Sequence, residues 1–403
     1  MLLHSPKDSV PSTQQIPLTN SDSGLDPLEP FRVAPFAEVV TELERLLSQT
    51  QRVFLLGAGC SKCAELPLMS ELTSLVVELL VDKPQTSAVL EALKANFAGA
   101  KDCTIEDYMS ELVDLVCIAD RHQLRGAVNP KVLLGGSPYS SQDLIDALSD
   151  IKQAIAETLT RPSLQIDTHR EFIRVIHNIL LSGRANAPQR VDYYTLNYDT
   201  LFEDALALER IPFSDGFIGG ATGWWDTQSY VGPHALARVF KVHGSIDWCL
   251  CDNDVLPRRV RRDLKVNGQR ERVLIWPAST KYRETQRDPY AQIVTFMRQS
   301  LRPPVGAEVV LTICGYAFND SHINIEVDRA LRESERRLTV IAFTSEDAPS
   351  GQLQQWLEDP LVRDQVRIHT NKGFFHGSTI VSSERPLAWW KFEVLCQLLG
   401  GQR

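Results

Sequence analysis

The chain has 403 residues, 43% of them apolar and 23% charged, with a formal net charge of -9 at pH 7. That balance suffices for one large or two moderate buried cores without disulfide staples, and it excludes bulk attraction to nucleic acid or to an anionic membrane. Any polyanion site must be a local patch.

In chain order, residues 1–34 come first. They are rich in Ser, Asp, Pro and Thr and lack a basic region followed by an apolar run, so a flexible tail is expected, with neither signal peptide nor membrane anchor. Residues 35–403 read as one domain. A helix over Phe36 to Gln49 leads into the strand "RVFLLG", a Gly57-Ala58-Gly59 turn and a helix from Met69 to about Leu80. Between about 83 and 186, segments such as "TIEDYMSELVDLVCIADRHQL" and "SQDLIDALSDIKQAIAETL" carry apolar residues at three- and four-residue spacing, which predicts a helical insertion. Strands then return: "RVDYYTLN", "ARVFKVHG", "RVLIWP", "EVVLTICG" and "RLTVIAF", separated by "DTLFEDALAL", "DPYAQIVTFMRQSL" and "DSHINIEVDRALRES". This alternation predicts an α/β fold. Its Rossmann-like parallel sheet is covered on both faces, with the insertion over the carboxyl edge where such sheets bind ligands.

The glycine turn has two readings. A strand that passes through Gly57-Ala58-Gly59-Cys60-Ser61 into a helix offers N–H groups and a positive dipole end to a pyrophosphate, while a tight corner under a buried strand requires the same glycines. Spacing excludes a phosphate-loop NTPase, because Ser61 rather than a second glycine stands directly before Lys62. It also excludes the usual dehydrogenase, whose acidic residue roughly 20 positions on would fall here inside a helix.

Eight cysteines (Cys60, Cys63, Cys103, Cys117, Cys249, Cys251, Cys314, Cys396) are scattered as in a protein of the reducing cytoplasm. Cys60-x-x-Cys63 has no second Cys-x-x-Cys to complete a zinc ribbon, and Cys249-Leu-Cys251 has the wrong spacing, so no metal is expected.

Three further strands end in polar residues: Asn197 and Asp199, His243 with Ser245, and Gly315-Tyr316 followed by Asn319 and Asp320. Each alone reads as a helix cap or a satisfied core residue. Together, at the carboxyl ends of parallel strands, they should converge with the glycine turn on one crevice.

"LLGAGCSKCAELP", "TLNYDTLFEDAL", "FKVHGSIDW" and "TICGYAFND" resemble, in order, the motifs of the sirtuin-like NAD-consuming family of bacterial anti-phage defence. Length and layout resemble the sirtuin-like subunit that pairs with a HerA-type ATPase. The resemblance implies that NAD is the substrate, that Gly57, Ala58, Gly59 and Ser61 hold its phosphates, and that Asn197 and His243 are the catalytic pair. It puts Gly315 and Tyr316 on the adenosine side, with Asp199, Ser245 and Asp320 as further contacts. It also implies a cytoplasmic homo-oligomer working with the ATPase. The four-cysteine zinc module of protein deacylases is missing, and Leu68, Met69 and Ser70 replace their acidic-aromatic-arginine segment, which argues against lysine deacylation.

Three functions remain open. The first is an NAD glycohydrolase that depletes NAD in defence; the second transfers ADP-ribose or an acyl group; the third is a non-enzymatic scaffold that senses NAD or ADP-ribose. The basic stretch 257–273 reads as an exposed hairpin with an Asn267-Gly268 turn, either solvated or facing an acidic partner or nucleic acid. The loop from Gly219 to Tyr230 is a lid or a packing element. "PLAWWKFEVLCQLLG" suits a closing helix or an oligomer contact.

Overall fold

The computed structural model describes residues 26–49, 51–97, 103–160, 164–180, 190–252, 254–261, 264, 269–271, 274–275 and 288–402. Nine strands form the main sheet: β1 (Gln51–Leu56), β2 (Val191–Thr195), β3 (Phe213–Ser214), β4 (Ala237–Lys241), β5 (Val309–Cys314), β6 (Leu338–Phe343), β7 (Val366–Thr370), β8 (Gly373–His376) and β9 (Thr379–Ser382). They lie in the order β9-β8-β7-β6-β5-β1-β2-β4-β3. Neighbours are parallel from β3 through β7, and β8 and β9 add an antiparallel hairpin at the edge.

The central strands β1, β2, β4 and β5 are almost wholly buried, as parallel strands covered on both faces must be. One face is covered by α1 (Phe36–Gln49), α6 (Asp167–Arg174), α7 (Leu201–Leu208) and α11 (Phe392–Leu399), through Leu43, Phe172, Phe202 and Phe392. The other is covered by α8 (Tyr290–Ser300), α9 (Ser321–Glu333) and α10 (Gly351–Glu358), through Ile293, Met297, Val327 and Trp356. Each such side chain taken from water stabilises by about 1.5–3 kcal/mol before entropy is charged against it.

A third core belongs to the region between β1 and β2. Helices α2 (Met69–Leu79), α3 (Pro84–Asn96), α4 (Ile105–Leu124) and α5 (Ser141–Leu159) share it, with a hairpin of Lys131–Leu134 and Ser137–Ser140. Tyr198, Leu201 and Ile246, which follow β2 and β4, are buried in the same cluster and root the helices at the carboxyl edge of the sheet. α6 packs on the sheet instead, because Phe172 and Ile173 face that core.

Chain order reverses at the middle of the sheet. From β1 the chain moves to β2 on one side, whereas from β5 it moves to β6 on the other, so the topological switch point, where sheets of this kind hold their ligand crevice, lies beyond the carboxyl ends of β1 and β5.

Several expectations are corrected. The tail expected over 1–34 is ordered in its last part: Phe31 is fully buried, its ring 5.2 Å from that of Trp389, because the turn Glu29–Arg32 brings it against the segment that precedes the final helix. Residues 1–25 lie outside the described residues, as does the Asn267-Gly268 turn. Within the basic stretch Arg259 is not a solvated charge. It pairs with Asp215, lies 3.1 Å from Asp247 and covers the Phe217 ring, because its strand, Arg258–Arg259, is inserted between Gly223–Trp225 and Trp248–Cys251. The Gly219–Tyr230 loop packs: Trp225 and Tyr230 are buried in the sheet core. The C-terminal segment closes the domain, with Trp389 Nε1 donating to the Thr370 carbonyl at 2.7 Å.

Candidate functional site

β1 and β5 end in loops that touch backbone to backbone. Gly57 N donates to the Cys314 carbonyl and Gly59 N to the Gly315 carbonyl, each at 2.9 Å. A Cβ on Gly57 would lie 2.4 Å from the Gly315 oxygen, and one on Gly315 would lie 2.4 Å from the Cys60 nitrogen. Gly315 also has φ +64, in the left-handed region that favours glycine. The glycines are therefore required by the clasp itself.

This changes the expected phosphate loop. No α-helix starts at the turn: Ala58–Ala64 forms a 3-10 segment, Glu65 turns left-handed at φ 65, and α2 begins only at Met69. The N–H groups of Gly57, Gly59 and Cys60 all bond within the protein, so the dipole-bearing helix end foreseen there is absent. Ala58 is exposed at the rim of the clasp.

Ser61, by contrast, is buried and central to a polar chain. Asn197 Nδ2 donates to the Gly57 carbonyl at 3.0 Å and to Ser61 Oγ at 2.8 Å, and Ser61 Oγ donates to Asp199 Oδ2 at 2.8 Å. The other Asp199 oxygen accepts from Leu201 N at 3.1 Å, so Asp199 also serves the first turn of α7. Lys241 Nζ donates to the Asp199 carbonyl and lies 3.6 Å from Glu203, whose carboxyl burial pushes up to about 7 against the pull of that ammonium.

A buried ion pair sets the register that brings Asn197 beside His243. On β2 and β4 Asp192 lies opposite Arg238, and Arg238 Nε donates to Asp192 Oδ1 at 2.7 Å. Asn197 and His243 each come five residues later (192 to 197, 238 to 243) on parallel neighbours, and Val242 N still bonds the Thr195 carbonyl at 2.9 Å. Both side chains are buried, at 6% and 3% exposure.

His243 faces a second group. Its Nε2 lies 3.6 Å from Asp320 Oδ2, and its ring centroid lies 5.9 Å from that of His322. Asp320 is the N-cap residue of α9, yet its side chain makes no cap hydrogen bond. Tyr316 holds this turn: Asp320 N donates to its hydroxyl and the hydroxyl reaches Asn324 Oδ1, each at 3.1 Å.

The sequence-expected residues thus fall into two adjoining groups. Gly57, Gly59, Ser61, Asn197, Asp199 and Gly315 are linked by direct contacts, and His243 meets Asp320. Three depart from expectation. Tyr316 is largely buried against Asp320 and Asn324, in a bracing position rather than an open adenosine face. Ser245 is fully buried, with Oγ on the Tyr198 carbonyl at 3.3 Å, and Asn319 is exposed at the turn. Two residues went unremarked in the sequence. His322 stands two positions after Asp320, a spacing that could have flagged it. Glu106 accepts the Tyr198 hydroxyl bond across a separation no local pattern reveals.

The thiols of Cys60, Cys63 and Cys314 are all pushed up by burial, so none is poised as a thiolate. No helix of the described residues is long and apolar enough to cross a membrane.

Among curated proteins, none matches the chain. A solved structure described as a Sir2 homologue, a histidine-to-asparagine mutant in complex with ADP-ribose, aligns at 11% identity with a TM-score of 0.41, covering 89% of this chain and 94% of that one. Residues 191–363, which hold Asn197, His243, Gly315 and Asp320 but not the Gly57 turn, match a family model described as "SIR2-like domain", and over that span the chain is similar to this family.

Proposed function

We propose that this chain hydrolyses NAD to nicotinamide and ADP-ribose in the crevice beyond β1, β2, β4 and β5. The observation that carries the reading is the placement of buried Asn197 and His243 just beyond the carboxyl ends of two neighbouring parallel strands, with Asn197 bonded into the glycine clasp. The similarity of residues 191–363 to a SIR2-like domain supports NAD as the ligand class.

The nicotinamide nitrogen is cationic in NAD, so its bond to ribose C1 breaks with the electron pair passing to that nitrogen, and nicotinamide leaves neutral without a general acid. The demanding species is the oxocarbenium-like ribose left behind. Water bonds to C1 and gives its proton to His243. The Asn197 amide nitrogen is held by Gly57 and Ser61, so its oxygen is presented at a fixed place to orient a ribose hydroxyl or the attacking water. Burial of the pair excludes bulk water from the reacting centre.

The four-motif resemblance extends the proposal to a cytoplasmic homo-oligomeric effector that depletes NAD in anti-phage defence beside a HerA-type ATPase. The test is to incubate the purified chain with NAD, with and without such an ATPase, and to follow nicotinamide and ADP-ribose. Equal amounts of both free products are expected. Label transferred to protein would identify a transferase instead, and binding without turnover a sensing scaffold.

A further inference from the structure

We propose that His243, Asp320 and His322 form a binding site for a divalent transition-metal ion of the zinc class, placed in the reacting crevice itself. One ligand atom from each of the three lies within 4.8 Å of the others. A tetrahedral ion with bonds of about 2.0–2.2 Å separates its ligand atoms by about 3.4 Å. The 3.6 Å between His243 Nε2 and Asp320 Oδ2 is close to that edge, and it is longer than a hydrogen bond.

The placement of the ligands supports the same reading. Asp320 occupies an N-cap position, where a carboxylate ordinarily accepts helix N–H bonds, but its side chain makes no cap bond and an oxygen lies toward His243. The Tyr316 hydroxyl fixes the Asp320 backbone, and Asn324 Nδ2 donates to the Phe318 carbonyl at 2.7 Å, so the turn that carries two ligands is braced before any ion arrives. Two imidazoles and one carboxylate suit zinc, cobalt or nickel rather than magnesium or calcium, which prefer oxygen ligands. Three protein ligands leave the fourth position to water.

One consequence rests on the hydrolysis proposed above. An ion at this site takes the His243 lone pair that would accept the proton from water, so metal and turnover compete for a single nitrogen and zinc should inhibit nicotinamide release.

The experiment is to treat the full chain with a chelator and titrate zinc alone against a chromophoric competitor. Cobalt is used in parallel for its visible spectrum, and a variant with Cys63, Cys103 and Cys117, the three half-buried free cysteines, all changed to Ser excludes their binding the metal. One zinc per chain is expected, with His322→Ala and Asp320→Asn each weakening it at least about tenfold while far-ultraviolet circular dichroism stays unchanged, and cobalt should give an intense four-coordinate spectrum. No bound equivalent, or one that survives both substitutions, would overturn the site. Full-rate hydrolysis with zinc bound would overturn the competition. Zinc binding as expected in a chain that never releases nicotinamide would support the site while removing the hydrolysis reading.

Discussion

Around Ser61 the polar groups of the crevice are joined at 2.8 to 3.0 Å, whereas around His243 they gather at 3.6 Å. The first group is locked to backbone: Asn197 holds the Gly57 carbonyl, and the glycines on either side leave no room for a Cβ. The second group hangs from a strand end and a helix start that are far apart in the chain. The contrast teaches that this crevice has a scaffold wall and a reactive wall. The scaffold is built from hydrogen bonds already made, and the reactive wall, on the proposals above, from groups spaced to share a proton or an ion.

The sharpest way to break that contrast is His243→Ala. Nicotinamide release should fall about a thousandfold or more, because the group that takes the proton from water is removed, while circular dichroism still reports a folded chain. Wild-type turnover in this variant would remove His243 from the reactive wall. Next in size, Gly315→Ala must force a Cβ against the Cys60 nitrogen at a positive φ. It should cost about 2–4 kcal/mol in thermal or urea unfolding and weaken NAD binding with it. An unchanged melt would mean that the clasp yields easily.

Asn197→Ala sharpens the comparison from the other side. It should lower turnover about a hundredfold and also cost about 1–3 kcal/mol of stability by leaving the Gly57 carbonyl and Ser61 without their donor.

An effect confined to acid stability lies away from both walls, at His177, whose pKa burial lowers to about 3 and whose Nε2 lies 3.0 Å from the Tyr193 hydroxyl. A histidine with a depressed folded pKa leaves stability intact above the unfolded value of about 6.5. Stability is then lost as pH falls below that value, at up to about 1.4 kcal/mol per unit, until about pH 3. Unfolding measured from pH 7 to pH 5 should show a shallower slope in His177→Gln than in the unsubstituted chain. Equal slopes would contradict the buried neutral ring.

Much of this was legible before the fold was known. "RVFLLG" and "EVVLTICG" read as strands because a buried parallel strand must be apolar on both faces. Asn197, Asp199 and His243 stood out because a polar residue just beyond such a strand has left the core. The strand "VRIHT" of β7 was not legible, because a short segment with alternating charge near an edge lacks that continuous apolar signal. Arg259 looked like part of a solvated charge run, since nothing local reveals the Asp215 and Asp247 carboxylates that draw it inward. The helix expected from Met69 is there, but a 3-10 segment separates it from the glycines, since Gly59 N bonds across the clasp and Cys60 N closes a tight turn on the Gly57 carbonyl.

By itself the sequence determined the alternation of strands and helices and the polar residues at strand ends, because burial and backbone propensity act over a few neighbouring positions. Tertiary structure alone decided that Gly57 meets Gly315, that Asn197 bonds Gly57 and Ser61, and that His243 meets Asp320. Those meetings depend on a strand order, β5-β1-β2-β4, that differs from chain order, and on a register pinned by the Asp192–Arg238 pair. Contacts that cross a sheet leave no periodic trace in the segments that make them.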